Sequence, residues 1–128
     1  MKFEDILKIK LKEVTQRVYP IVAPEGIKAP FIVFKQRNLK NIKTLDGYIR
    51  FIEGYYEIVL IANNYDELIE NKDSIKERVI SLIGVKDEIF INDIDIEFNG
   101  DNYVYDINAF QSNITLTIKY RESEESGI

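Results

Sequence analysis

The chain has 128 residues, 45% of them hydrophobic and 30% charged, with a formal net charge of −5. That length suits one domain, which buries roughly two-thirds of its unfolded surface and can form a single core without covalent staples. There is no Cys and no His, which excludes disulfides, thiolate or imidazole metal ligands and Cys–His or Ser–His nucleophilic chemistry, while the acidic total argues against a nucleic-acid binder of the usual basic kind.

Residues 2–16 predict a helix, because Phe3, Leu7, Leu11 and Val14 recur at spacings of four, four and three and so share one face. Pro20 disfavours helical geometry at Tyr19 and stops it. The stretch VYPIVAPEGIKAPFIVFKQ, Val18 to Gln36, then holds all three prolines of the chain, Pro20, Pro24 and Pro30. Pro24-Glu25-Gly26 reads as a turn. Pro30 opens a strand, where its missing donor does least harm. Phe31 to Phe34 are apolar without alternation, the pattern of a strand covered on both faces.

The polar, basic segment from Arg37 to Tyr48 reads as a long loop or a flexible hairpin arm. A strand follows, with Tyr56, Ile58, Leu60 and Ala62 on one face and Tyr55, Glu57, Val59 and Ile61 on the other; Gly54 suggests a bulge or bend. Asn64 with Glu67 three residues on makes a capping box. It opens a helix to about Ile83, with Leu68, Ile75, Val79 and Leu82 along one side and Gly84 at the C′ position. EIFINDIDIEF sets Ile94, Ile96 and Phe98 against Asp93, Asp95 and Glu97, a half-buried strand, and Asn99–Asp101 is a turn signal. The last strand carries Ile114, Leu116, Ile118 and Tyr120 on one face.

These elements predict an α+β domain over residues 1–121. Its sheet is mainly antiparallel, of about four strands, with two helices packed on one face in the order α-β-β-α-β-β. Leu60, Ile75, Val79, Ile96 and Leu116 are the expected core. Residues 122–128 form a disordered acidic tail. No segment reaches the ~18 uncharged apolar residues of a membrane span, and the start, MKFEDILKIK, lacks a signal-peptide core.

Few motifs carry chemistry. Asp95 to Asp106, DIEFNGDNYVYD, matches part of a calcium loop, but Glu97 stands where Asp or Asn is wanted and Asp106 replaces the bidentate Glu. The alternating apolar residues mark a strand, so no calcium site is expected there. Asp93, Asp95, Glu97 and Asp101 suit a solvated face better than paired catalytic carboxylates, which need a pocket. Lys35, Arg37, Lys40, Lys43 and Arg50 form a basic run without interleaved aromatics between Lys35 and Lys43, which gives little support to single-strand stacking. Charge is also split along the chain: residues 1–64 hold eleven Lys/Arg and seven Asp/Glu, residues 65–128 six and fifteen. Opposite signs are compatible with head-to-tail self-association.

Three segments carry a resemblance: the N-terminal helix leading into VYPIVAPEGIKAPFIVF, the strand-to-helix unit YYEIVLIANNYDELIENKDSIKERVISLI, and the terminal SNITLTIKYRE. In these the chain resembles the phage tail terminator, or tail-completion (head–tail joining), family of long-tailed phages and phage-tail-like bacteriocins. The long strand starting near Tyr48 departs from the family's plain pattern. The resemblance implies a non-enzymatic structural protein with no cofactor. Such proteins form a ring, usually a hexamer, at the head-proximal end of the tail tube, stop tube growth and offer the surface that meets the head or cap. Implied partners are further copies of the chain, the tail tube protein, and sheath, neck or collar proteins, with no membrane and no specific nucleic acid. The implied location is a virion or phage-tail-like particle assembled in the bacterial host cytoplasm. Lys35, Arg37, Lys40, Lys43 and Arg50 are the candidate residues at a subunit or tube interface. Another neck or head–tail connector component and a stand-alone soluble protein-binding module are the alternatives.

Overall fold

Residues 2–43, 45, 49–86 and 89–121 are described by a computed structural model, with the side chains of 49, 50, 85 and 86 left aside. The tail expected at 122–128 lies outside the described residues. Helix α1 spans Phe3–Leu11 and buries Phe3, Ile6, Leu7 and Leu11. It starts where the Lys2 amide donates to Asp5 Oδ2 at 3.1 Å. It ends short of the expected residue 16: Lys12 caps it, and Val14 packs on the core from the turn beyond.

Strand β1, Val18–Pro20, runs parallel to β2, Phe31–Lys43, with Val18 opposite Ile32 and Pro20 opposite Phe34. The ten residues between them hold Pro24 and Pro30. Strand β2 turns back into β3, Ile49–Ala62, and their ladder runs from Phe31↔Ile61 to Lys43↔Ile49. Arg37 to Lys43 are therefore strand and not loop; the hairpin-arm reading is the one observed. The far end of this hairpin extends past the last β3 pair with its other neighbour, Ile52↔Tyr120. The irregularity expected at Gly54 sits on the partner strand, where Arg37 is an extra residue between Gln36↔Tyr56 and Asn38↔Tyr55. Gly54 serves packing: a Cβ there would lie 3.0 Å from Tyr56 Cε2 and 3.4 Å from Leu39 Cδ1.

Helix α2, Tyr65–Ile80, begins as expected, with Asn64 Oδ1 accepting from the Glu67 amide at 2.8 Å. Glu67 reaches back one residue further than a capping box, to the Asn63 amide at 2.8 Å. The helix ends at Ser81, so Gly84 opens strand β4, Gly84–Lys86, instead of occupying C′. Strand β5, Ile89–Val104, passes through Asn99–Asp101 without turning. Those residues form a bulge between Phe98↔Ile114 and Asp101↔Ser112, with Gly100 at φ +116°. The chain reverses after a 3₁₀ turn at Tyr105–Ile107, with Asn108 left-handed at φ 49°, ψ 51°, into β6, Ala109–Arg121.

The sheet is six-stranded and mixed, in the order β1-β2-β3-β6-β5-β4. The class is α+β as expected, but there are more than four strands: four are long, and two three-residue strands sit at the edges. Both helices cover one face. Phe3 packs against Tyr56 and Tyr120, with ring centres 5.4 and 5.6 Å away, and Arg78 of α2 bonds Glu13 beyond α1 at 2.8 Å. Leu68, Ile75, Val79 and Leu82 are buried together with Ile58, Leu60, Ile114, Leu116 and Ile118 in one core. Ile96 is only half-buried. Phe31 and Val33 are half-buried too, so β2 is not enclosed on both faces: Ile32 and Phe34 alone enter the core.

Candidate assembly surfaces

The second face of the sheet has no helix over it among the described residues. Its side chains follow from the register. Phe31, Val33, Lys35, Asn38 and Lys40 of β2 lie beside Glu53, Tyr55, Glu57, Val59 and Ile61 of β3. Asn113, Thr115, Thr117 and Lys119 of β6 come next, then Asp93, Asp95 and Glu97 of β5. Apolar side chains cluster at the Phe31–Ile61 end of this face, and polar or charged ones cover most of the rest. The Tyr55 hydroxyl donates to Glu53. That hydrogen bond, with slight desolvation and the Glu53 charge behind it, holds the phenol above its ordinary pKa of 10.0.

Four of the five basic residues singled out from sequence lie along β2. Lys35 and Lys40 point from the open face, Arg37 occupies the bulge, and Lys43 ends the strand. All four are exposed. Arg37 bonds Glu57 of its own chain. The side chain of Arg50 lies outside the described residues. Strand β1 covers β2 only from Ile32 to Phe34, so beyond Phe34 the outer edge of β2 has no strand partner among the described residues. The far side of the sheet mirrors this with opposite sign. Strand β4 covers β5 only from Ile89 to Ile91, and the uncovered stretch carries exposed Asp93, Asp95 and Glu97.

The candidate calcium loop is part of this strand. Asp95 and Glu97 face the open side, while Asp101 pairs with Ser112 on the helix side. Alternate side chains point to opposite faces of a strand, so the segment does not close round an ion.

The proline stretch forms a tight strap at the β1 edge. Arg17 donates from Nη1 to the Lys28 and Ala29 carbonyls at 3.1 and 3.4 Å, and Asn63 Nδ2 donates to the Ala29 carbonyl at 3.1 Å. Ile21 stands at φ 69°. The Val22 amide bonds the Pro20 carbonyl at 2.7 Å around it, the ring of a γ-turn with the disfavoured sign of φ. A branched side chain is rare there, yet Ile21 and Val22 are 73% and 72% exposed. The strap also walls a cleft of about 400 Å³ whose lining includes Ile27, Lys28, Phe31, Ile61, Asn63 and Ile107. Next to its Ile107–Ala109 rim, Tyr103, Tyr105 and Phe110 pack edge-to-face, and Tyr105 is 81% exposed.

No known family model matches the chain, and no curated protein does. A solved chain from the "virion of native gene transfer agent (GTA) particle" shares its fold. The TM-score is 0.66 at 8% identity, over 86% of this chain and 83% of that one.

Sequence reasoning missed the strap's exposed apolar pair, the cleft and the edge position of the acidic strand. Ile21 and Val22 look like core by composition, and only the backbone shows that they point outward. The alternation of β5 marks Asp93, Asp95 and Glu97 as solvated but is silent on which strand neighbours it.

Proposed function

We propose that the chain is a non-enzymatic structural component of a phage-like particle. In this reading, copies close into a ring, six-membered by the family resemblance, at the head-proximal end of a tail tube. The ring ends tube growth and presents the surface that meets a head or cap, assembling in the cytoplasm of a bacterial host. The observation that carries the proposal is the fold shared with a chain of a gene transfer agent virion across most of both chains. The sequence resemblance to tail terminators supports it independently. So does the sheet face opposite the helices, where a small apolar group at Phe31, Val33, Val59 and Ile61 is flanked by charged and polar side chains, the layout of an apolar centre with a polar rim. No described helix is long and apolar enough to cross a membrane.

The test mixes purified protein with its own tail tubes under negative-stain microscopy. A ring of density on one tube end, with tubes no longer extending, is the expected result. Tubes that keep growing with bare ends sink the terminator role. Density bound instead to isolated portal or neck complexes would favour the head–tail connector alternative, to which the same fold likeness applies.

A further inference from the structure

We propose that copies of this chain join edge to edge through their sheets, the uncovered edge of β2 on one copy pairing antiparallel with the uncovered edge of β5 on the next. The number of copies rests on the ring reading above; the joint itself does not.

The argument starts from rows across the open face. One row runs Lys40, Glu53, Lys119, Asp93 from β2 through β3 and β6 to β5. Its charges alternate in sign at every step. A second row runs Lys35, Glu57, Thr115, Glu97. Both begin with a cation at one edge of the sheet and end with an anion at the other. Directly opposed side chains on paired strands sit about 4.5–5.5 Å apart at Cβ, and opposite charges there are favourable while like charges are not. Placing a second copy beside the first continues each row: Asp93 meets Lys40 of the next copy, and Glu97 meets its Lys35.

Direction and space agree. Strands β2, β3, β6 and β5 alternate in direction, so β5 followed by β2 of a copy in the same orientation is antiparallel, with the helices of both on one side. Strand β1 blocks β2 only up to Phe34, and β4 blocks β5 only down to Ile91. At a common height the free stretches overlap across Lys35–Lys40 and Asp93–Glu97. Equivalent residues in a closed ring share one height about its axis, which is this register when the strands run along that axis. The helix side gains as well. Leu39, 44% exposed, stands in a row with Gly54, Ile118 and Ile94, and in the joint it lies against Ile94 of the neighbour.

Charged, bulged edges usually keep sheets apart. Here the signs differ between the edges, so β2 repels β2 and β5 repels β5, and only the unlike pair is left. That makes the contact heterologous, the kind that closes rings or runs on as filaments.

The chain has no Cys, so introduced thiols report one contact. Lys40→Cys and Asp93→Cys proteins are oxidised separately and as a mixture, with and without tail tubes. A covalent dimer in the mixture alone is expected. A dimer in either protein by itself means that like edges meet and overturns the proposal, as does a mixture that never cross-links. A second arm removes dependence on thiol geometry. The double variant Lys35→Glu, Lys40→Glu and the double variant Asp93→Lys, Glu97→Lys should each lose self-association by light scattering at low salt, and a one-to-one mixture should recover it. If both variants associate like the wild type, the joint is wrong. Wild-type rings without the cross-link sink the joint and leave the ring reading standing; cross-linked open chains that never cap a tube do the reverse.

Discussion

Lys72 on α2 donates to both carboxylate oxygens of Asp101 on β5, each at 3.0 Å, while its ammonium lies 5.4 Å from the centre of the Phe98 ring. This contact ties the helix to the bulged half of the strand. Burial alone would raise the Asp101 pKa. The Lys72 hydrogen bonds, the neighbouring Ser112 and the Lys72 charge outweigh it, and the carboxyl sits below its ordinary 3.8. The Ser112 hydroxyl makes no hydrogen bond of normal geometry, so it acts on Asp101 only as a nearby dipole. A carboxyl with a lowered folded pKa adds stability above its unfolded value, and this is lost as pH falls through the folded one. Asp101→Asn is therefore expected to melt below wild type at pH 7, by the equivalent of about 1 kcal/mol, the upper end for a surface ion pair, because both side chains are largely covered. The gap should close below pH 3.8. Melting curves between acid and neutral pH check this; a gap constant across that range would show that the carboxylate charge is not what matters.

Gly54→Ala tests the packing of Tyr56. The added Cβ would sit 3.0 Å from Tyr56 Cε2, on a ring that is fully buried. Overpacking of this kind costs about 1–3 kcal/mol. Urea unfolding should show that loss, and an unchanged midpoint would mean that the ring moves aside freely.

Leu60→Ala and Ile96→Ala separate the core from its margin. Leu60 is fully buried, and removing it should cost about 2–5 kcal/mol. Ile96 is half-buried and should cost clearly less under the same urea titration. Equal losses would mean that the sheet margin at β5 is as tightly packed as its centre.

Alternation made the middle of this fold legible. Tyr56 to Ala62 reads as a strand because it is a short, mostly apolar run of β-branched and large side chains, and Ile114 to Tyr120 reads as one because one side enters the core and the other does not. Leu68, Ile75, Val79 and Leu82 marked α2 in the same way. The signal fails where both faces are wet. Asn38 to Lys40 lie on a hairpin exposed on both sides, so no period of two survives in their side chains. Strand β1 is three residues ending in proline, too short for any period. Gly100 needs positive φ in a bulge as it would in a turn, so local chemistry could not separate the two. The basic half of the proposed joint was visible as a charge run. Its acidic counterpart was not, because sheet edges are set by strand order and β6 had to be known to lie between β3 and β5.

Ile21→Gly probes the strained turn. At φ 69° a branched residue bears about 1–2 kcal/mol of backbone strain, while glycine adds a smaller entropic cost in the unfolded chain. Because Ile21 is mostly exposed, few contacts are lost. The melting temperature should hold or rise slightly, against the usual fall for an apolar deletion. A drop of several degrees would mean that the Ile21 side chain is braced by the fold after all.

The last strand of the sheet in chain order, β6, is hydrogen-bonded along nearly its whole length to β3 on one side and β5 on the other. Strands β3 and β5 have no ladder with each other. A chain emerging from the ribosome can form the β2–β3 hairpin early, yet no strand joins that hairpin to β5 until residues 109–121 arrive. Closure then depends on contacts far apart in sequence, the slow kind. It also means that a half-made chain has no rigid body with a basic edge at one end and an acidic edge at the other. In the edge-to-edge joint proposed above, an unfinished copy would lack one of the two matching ends and would not enter, because both ends come into being in the same step.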